Sequence, residues 1–240
     1  MKFADDLEIN RAMVIFAHPD DAEFGSAGTT AAWAKQGVEL TYLLVTNGAS
    51  GSSDPEMTRE RLAEIRLAEQ QEACDVLGVK NLVPLGFEDG YLYPDLELRR
   101  AVAREIRRFK PDAVITTDPT IRTAFDAYIN HPDHIAVAEV VYRSINPDAS
   151  SGLMFPELRR EEGLEPHLPA TVFIQNFAEG TVHVDISETI ELKLQALACH
   201  RSQHDNEAEA LQWIRERNAE AGKRHGVSYA ESFNLLRTGF

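Results

Sequence analysis

The chain has 240 residues, 43% of them hydrophobic and 26% charged, the proportions of a globular protein with a sizeable core. A formal net charge of −15 lacks the basic footprint of a nucleic-acid binder. The two cysteines, Cys74 and Cys199, form no CxxC and suit a reducing cytosol, and neither a basic leader nor a membrane-length apolar run is visible, so a cytoplasmic protein free of membrane is expected.

Residues 1–10 are polar and read as an arm. Residues 12–17, AMVIFA, predict a buried strand that stops at His18-Pro19-Asp20-Asp21. From Glu23 to Gln36 apolar residues recur at helical spacing, and Gly37 supplies a stop. Residues 38–46 predict a second strand ending in Thr46-Asn47-Gly48. A Gly/Ser/Asp/Pro-rich loop follows, and then a charge-laced helix over 58–77, closed by Gly78. A short strand at 81–85, a loop at 86–94, a helix at 96–109 and a strand at 113–117 come next. Residues 119–130 read as a loop before His131-Pro132-Asp133-His134, which opens a helix to about Ser144. Residues 146–168 read as an irregular excursion. Strands are expected at 170–176 and 181–186, and helices at 187–200, with Ser187 as N-cap, and 206–222. The tail 227–236 reads as a strand or an ordered arm.

Alternating strands and helices predict an α/β fold: one domain with a mostly parallel sheet and helices on both faces, its core at about 12–205 followed by a helical or arm region at 206–240. In such a sheet all strand carboxyl ends share one edge. His18, Asp20, Asp21, His131 and His134 then converge although they are far apart in sequence. A carboxylate with two imidazoles suits a borderline divalent metal such as zinc, with one position left open. Pro19 and Pro132 hold the preceding histidines extended. Each motif alone also reads as a helix cap: an aspartate capping after the first strand, or an N-cap before Pro132 at the first helical position. The pairing of the two motifs favours a metal site. The segment Gly25 to Thr30 is not GxGxxG, so its glycines are expected to serve close helix packing. His167, His204 and His225 read as surface residues, and His183 as structural.

These residues resemble the PIG-L/LmbE superfamily of metal-dependent N-acetylglucosaminyl de-N-acetylases. The resemblance rests on Ala17-His18-Pro19-Asp20-Asp21 with Glu23 and Gly-x-x-Gly-Thr, and on His131-Pro132-Asp133-His134. Thr46-Asn47-Gly48, Arg66-x-x-Glu69 and Lys193-x-x-Ala196-Leu197-x-x-His200-x-Ser202-Gln203 support it. The resemblance spans about 12–205 and implies a Rossmann-like fold and zinc or another divalent ion. It further implies His18, Asp21 and His134 as metal ligands, Asp20 as general base, and His131 as the residue that stabilises the oxyanion or protonates the amine. Arg66 and Asn47 are the implied substrate contacts, and Asp133 and His200 the implied supports of the ligands. The implied substrate is a small N-acetylated sugar conjugate, and the implied assembly a homo-oligomer. Two other readings stay open: hydrolysis of another small amide or ester, and a non-catalytic Rossmann-like module that binds a sugar or nucleotide.

Overall fold

The apolar run before His18 forms β1 (Arg11–Phe16), and its alternation decides the layering. Ala12, Val14 and Phe16 face one core, while Met13, Ile15 and Ala17 face another. A strand buried on both faces reads as a continuous apolar run because neither face meets water. The computed structural model describes residues 7–124, 127–175, 180–204 and 206–238. The first six residues of the expected arm, and Asn176 at the end of an expected strand, lie outside them.

β1 is flanked by β2 (Glu39–Thr46) and β4 (Ala113–Thr117), both parallel to it. β3 (Asn81–Phe87) extends the sheet beyond β2, and β7 (Thr171–Gln175) extends it beyond β4, again in parallel. Strand order therefore reverses between β1 and β4, the point at which α/β sheets open a crevice at their carboxyl edge. Helices α2 (Ala27–Lys35), α3 (Arg59–Leu77) and α7 (Ile190–Leu197) cover one face. α4 (Leu96–Phe109) and α5 (Pro132–Arg143) cover the other. Thr58 and Asp95 cap α3 and α4 with their side chains, accepting from Arg61 N–H at 3.2 Å and Leu98 N–H at 2.9 Å.

The structure differs from the sequence reading in four places, and it settles the tail, read as a strand or an ordered arm. The helix expected over 23–36 is two: α1 (Asp21–Gly25) and α2, parted at Ser26 with φ −137° and ψ 8°. The break creates a second helix N-terminus, whose amides bind a carboxylate from the far end of the chain. The tail is a strand, β9 (Ala230–Arg237), which inserts antiparallel between β7 and β8 (Val182–Asp185). It completes a seven-stranded sheet in the order β3-β2-β1-β4-β7-β9-β8. Ser187 is not the N-cap of α7. Its hydroxyl bonds Asp185 at 2.5 Å instead, and the helix starts after Thr189. The stretch 119–130 carries a small ribbon, β5 (Thr123–Ala124) and β6 (Tyr128–Ile129), and the excursion carries a π-helical turn, Ser144–Ala149, and a short helix, Pro156–Arg160, here α6. α8 (Glu207–His225) then leads into β9. Among the described residues no helix is long and apolar enough to cross a membrane.

The glycines of the segment after α1 behave as expected. A Cβ on Gly28 would lie 2.8 Å from Ile186, so α2 packs at a distance only glycine allows.

Candidate metal centre

β1 delivers His18 and α5 delivers His134 to the crevice at the β1/β4 switch. His18 Nδ1 lies 3.2 Å from His134 Nε2 and 3.5 Å from Asp21 Oδ2, and His134 Nε2 lies 3.1 Å from Asp21 Oδ1. Two donors held about 2.0 Å from an ion at the tetrahedral angle stand about 3.3 Å apart. The two imidazole nitrogens stand near that edge, and each meets one oxygen of the Asp21 carboxylate at a similar distance, so the residues fit a zinc-sized ion. Asp21 is oriented by His18 itself, whose backbone N–H donates to Oδ2 at 2.8 Å.

Each of these histidines has a partner on its other nitrogen, the arrangement metal-binding imidazoles adopt. His18 Nε2 lies 3.3 Å from Asp133 Oδ2 and 3.1 Å from Asp89 Oδ1. His134 Nδ1 lies 3.0 Å from Asn130 Oδ1. Asp133 is fully buried and accepts the Gly90 N–H at 2.7 Å, which ties the loop after β3 to α5. Asp133 thus stands behind His18, facing its Nε2. The sequence reading missed Asp89 and Asn130. Asp89 follows β3, in a polar cluster at a strand's carboxyl end, the same placement as the clusters after β1 and β2.

The electrostatics follow from this crowding. Burial opposes a charge on His18, but Asp133, Asp21 and Asp89 outweigh it and raise its pKa to about 12. Burial likewise works against Asp21, and His134 and His18 outweigh it, holding the carboxyl well below the usual range. Burial would raise Asp89, yet His18 and the Ser50 N–H hold it at about 2. Asp20 goes the other way: burial and the negative Asp21 push it up to about 7, although Arg66, His200 and His18 pull it down. A carboxyl poised near neutrality beside a metal site has the character of an acid–base group. His131 caps α5, its Nδ1 accepting from Asp133 N–H at 3.2 Å, and its ring centroid lies 4.6 Å from that of His18. Burial, with the positive His18 beside it, lowers the His131 pKa and favours the uncharged ring. With Nδ1 an acceptor, Nε2 carries the proton.

Asp20 itself has φ 100° and ψ −27°, a left-handed conformation costly for a residue other than glycine. Arg66 sits beneath it, 4% exposed, and donates to Pro19 O at 2.6 Å, Gly48 O at 2.9 Å and Asp20 Oδ2 at 3.3 Å. Gly48, at φ +65°, allows that approach, since a Cβ there would lie 2.8 Å from Pro19. The guanidinium expected to touch substrate thus holds the backbone under Asp20. The Asn47 Oδ1 accepts from Ala49 N–H at 3.1 Å and Asp89 N–H at 3.3 Å, shaping the two loops. His200 lies apart from the ligands, fully buried, with Nε2 3.2 Å from Glu23 Oε2.

The centre opens into a cleft of about 790 Å³, within the range of small-molecule sites. Asp20, Asp21, His134, Tyr128, Gln175 and Trp213 of α8 line it.

Residues 13–145 match the PIG-L family, described as GlcNAc-PI de-N-acetylase. The chain belongs to the PIG-L family. That match runs from β1 to the end of α5 and so contains all three candidate ligands. Among curated PIG-L relatives, the diacetylchitobiose deacetylase of Thermococcus kodakarensis is 31% identical over 95% of this chain and 84% of its own length. A probable N-acetyl-alpha-D-glucosaminyl L-malate deacetylase 2 of Bacillus anthracis is 32% identical over 84% of this chain and 90% of its own. The solved structure of N,N'-diacetylchitobiose deacetylase from Pyrococcus horikoshii, complexed with its inhibitor MPG, superimposes with a TM-score of 0.88 at 29% identity, covering 96% of this chain and 85% of that one.

Proposed function

We propose that this protein removes the acetyl group from an N-acetylglucosamine-type sugar, with a divalent ion held by His18, Asp21 and His134. As a PIG-L member with deacetylase relatives along its whole fold, it is a hydrolytic de-N-acetylase. The observation that carries the metal assignment is the close set of donors, 3.2 Å between the two imidazole nitrogens and 3.1 and 3.5 Å from them to the two oxygens of Asp21, with both imidazoles oriented from behind. Two imidazoles and a carboxylate suit zinc. Such an ion polarises an acyl oxygen and acidifies water.

The chain's own residues divide the remaining work. Asp20, lining the cleft and titrating near neutrality, takes the proton of the attacking water and passes one to the leaving nitrogen. His131, uncharged and protonated on Nε2, donates to the oxygen on which negative charge develops. Arg66 and Asn47 hold the loops rather than the sugar. The cytosol is the setting we propose, and free Cys74 and Cys199 suit it.

The test is acetate release from N,N'-diacetylchitobiose and from N-acetylglucosamine joined to malate or inositol. Release from one of them, lost with a chelator and restored by Zn²⁺, is expected. Release only from non-sugar amides or esters would instead support the broader hydrolase reading. A metal-free protein active on none of them would support the binding module.

A further inference from the structure

The left-handed backbone at Asp20 needs a cause. Asp20 O accepts from Glu23 N–H at 2.9 Å and Phe24 N–H at 3.1 Å, as the first turn of α1 requires, and the carboxylate meets Arg66. Among the described residues the Asp20 N–H finds no backbone acceptor. It donates to Gln70 Oε1 at 3.2 Å, from a helix fifty residues further along the chain. Gln70 is fully buried on α3, one turn beyond Arg66 and on the same face.

The amide has one orientation. Its Nε2 lies 3.1 Å from Glu23 Oε1, and the other oxygen of Glu23 lies 3.2 Å from His200 Nε2. A carboxylate only accepts, so Nε2 must face Glu23 and Oε1 must face Asp20. Flipping the amide would set two donors against each other at Asp20 and two acceptors at Glu23. Gln70, Glu23 and His200 are all fully buried, so water does not compete for these bonds.

We propose that Gln70, oriented by Glu23 and His200, is the positioning residue that holds Asp20 in its left-handed conformation and so aims the base at the metal centre. The inference rests on the deacetylase reading for its catalytic consequence, and on geometry alone for its structural one. The pair Arg66 and Gln70 works as a clamp: one fixes Pro19 O and the Asp20 carboxylate, the other fixes the Asp20 N–H.

The experiment has two readouts. Amide hydrogen exchange at Asp20 reads the backbone whether or not any sugar is turned over. Gln70→Met keeps the length of the side chain and removes both bonds. It is expected to raise exchange at Asp20 while leaving metal content at that of wild type. Unchanged exchange would overturn the proposal. With N,N'-diacetylchitobiose as substrate, kcat is expected to fall about 10- to 100-fold with KM little changed, the usual scale for losing a support behind an active-site residue. In an Asp20→Asn background the same substitution is expected to cost nothing further, because Gln70 acts through Asp20. A loss that multiplies with that of Asp20→Asn would overturn the proposal. Should the Met variant not fold, Gln70→Asn withdraws the amide by one methylene and is read the same way. A wild type inactive on sugars, with exchange changed as expected, would overturn the deacetylase reading and leave the clamp standing.

Discussion

Thr29 gives both its backbone N–H and its hydroxyl to one oxygen of Glu231, at 2.7 and 2.6 Å. The other oxygen takes the Gly28 N–H at 3.0 Å and Lys193 Nζ at 2.6 Å. The helix N-terminus that a Gly-rich segment would offer a phosphate is thus filled by the protein's own carboxylate. Glu231→Gln leaves Lys193 as a buried charge without its partner. A loss of about 3–5 kcal/mol is expected, read from denaturant midpoints. A loss under 1 kcal/mol would show that the pair does not close the sheet.

The adjacent aspartates should separate cleanly. Asp21→Ala is expected to lose both metal and activity. Asp20→Asn is expected to keep about one ion per chain and lose about 10²- to 10⁴-fold in kcat, the worth of a positioned acid–base group. Elemental content measured beside acetate release decides it, and full activity in Asp20→Asn would remove that residue from the mechanism.

The pH profile carries a signed expectation. Asp20 works as a base only when ionised, so activity rises as pH climbs through its pKa, about 7 in the protein alone. A cation beside it favours the carboxylate and moves the acid limb of kcat/KM lower. Arg66 also favours the carboxylate, so Arg66→Gln should move the limb toward higher pH. Profiles of the two proteins that coincide would uncouple Arg66 from the base.

Metal uptake should expel a proton. With three carboxylates raising His18 to about 12, its ring is an imidazolium at neutral pH, whereas a ligand must be neutral. Binding is expected to release about one proton from His18 and to tighten about tenfold per pH unit. Calorimetry in buffers of different ionisation enthalpy counts the proton, and none released would argue against His18 as a ligand.

Asp89 offers a test of the support behind His18. Asp89→Asn keeps the shape and removes the charge facing Nε2 at 3.1 Å. Metal affinity is expected to fall about 10- to 100-fold with the fold intact. An unchanged affinity would assign the orientation of His18 to Asp133 alone.

Much of the architecture is legible in the sequence because its strands are short apolar runs bounded by glycine, proline or polar residues. β4 and α4 fall at the boundaries their patterns predict, and the two histidine motifs meet because a parallel sheet leaves no other edge for them. The rest depends on non-local partners. Nothing near Ser26 announces the break between α1 and α2, since the carboxylate that uses the new N-terminus lies 203 residues away at Glu231. β9 alternates visibly, but its place between β7 and β8 follows from pairing with both. Gln70 is a neutral side chain on an amphipathic helix, and only the fold brings it under Asp20. Arg66 lies under Asp20, and its burial turns its guanidinium toward the carbonyls of Pro19 and Gly48, which its sequence spacing does not foretell.

The strand that completes the sheet is made long after the helix it anchors, Glu231 lying 203 residues beyond Gly28. Until residues 230–237 exist, Lys193 has no counter-ion and the start of α2 no acceptor, so α2 and the His18–Asp21 turn before it lack their anchor. The turn is thus finished by a strand made long after it. A single cleavage in the turn at 226–229 is therefore expected to silence a centre built around residues 18–21.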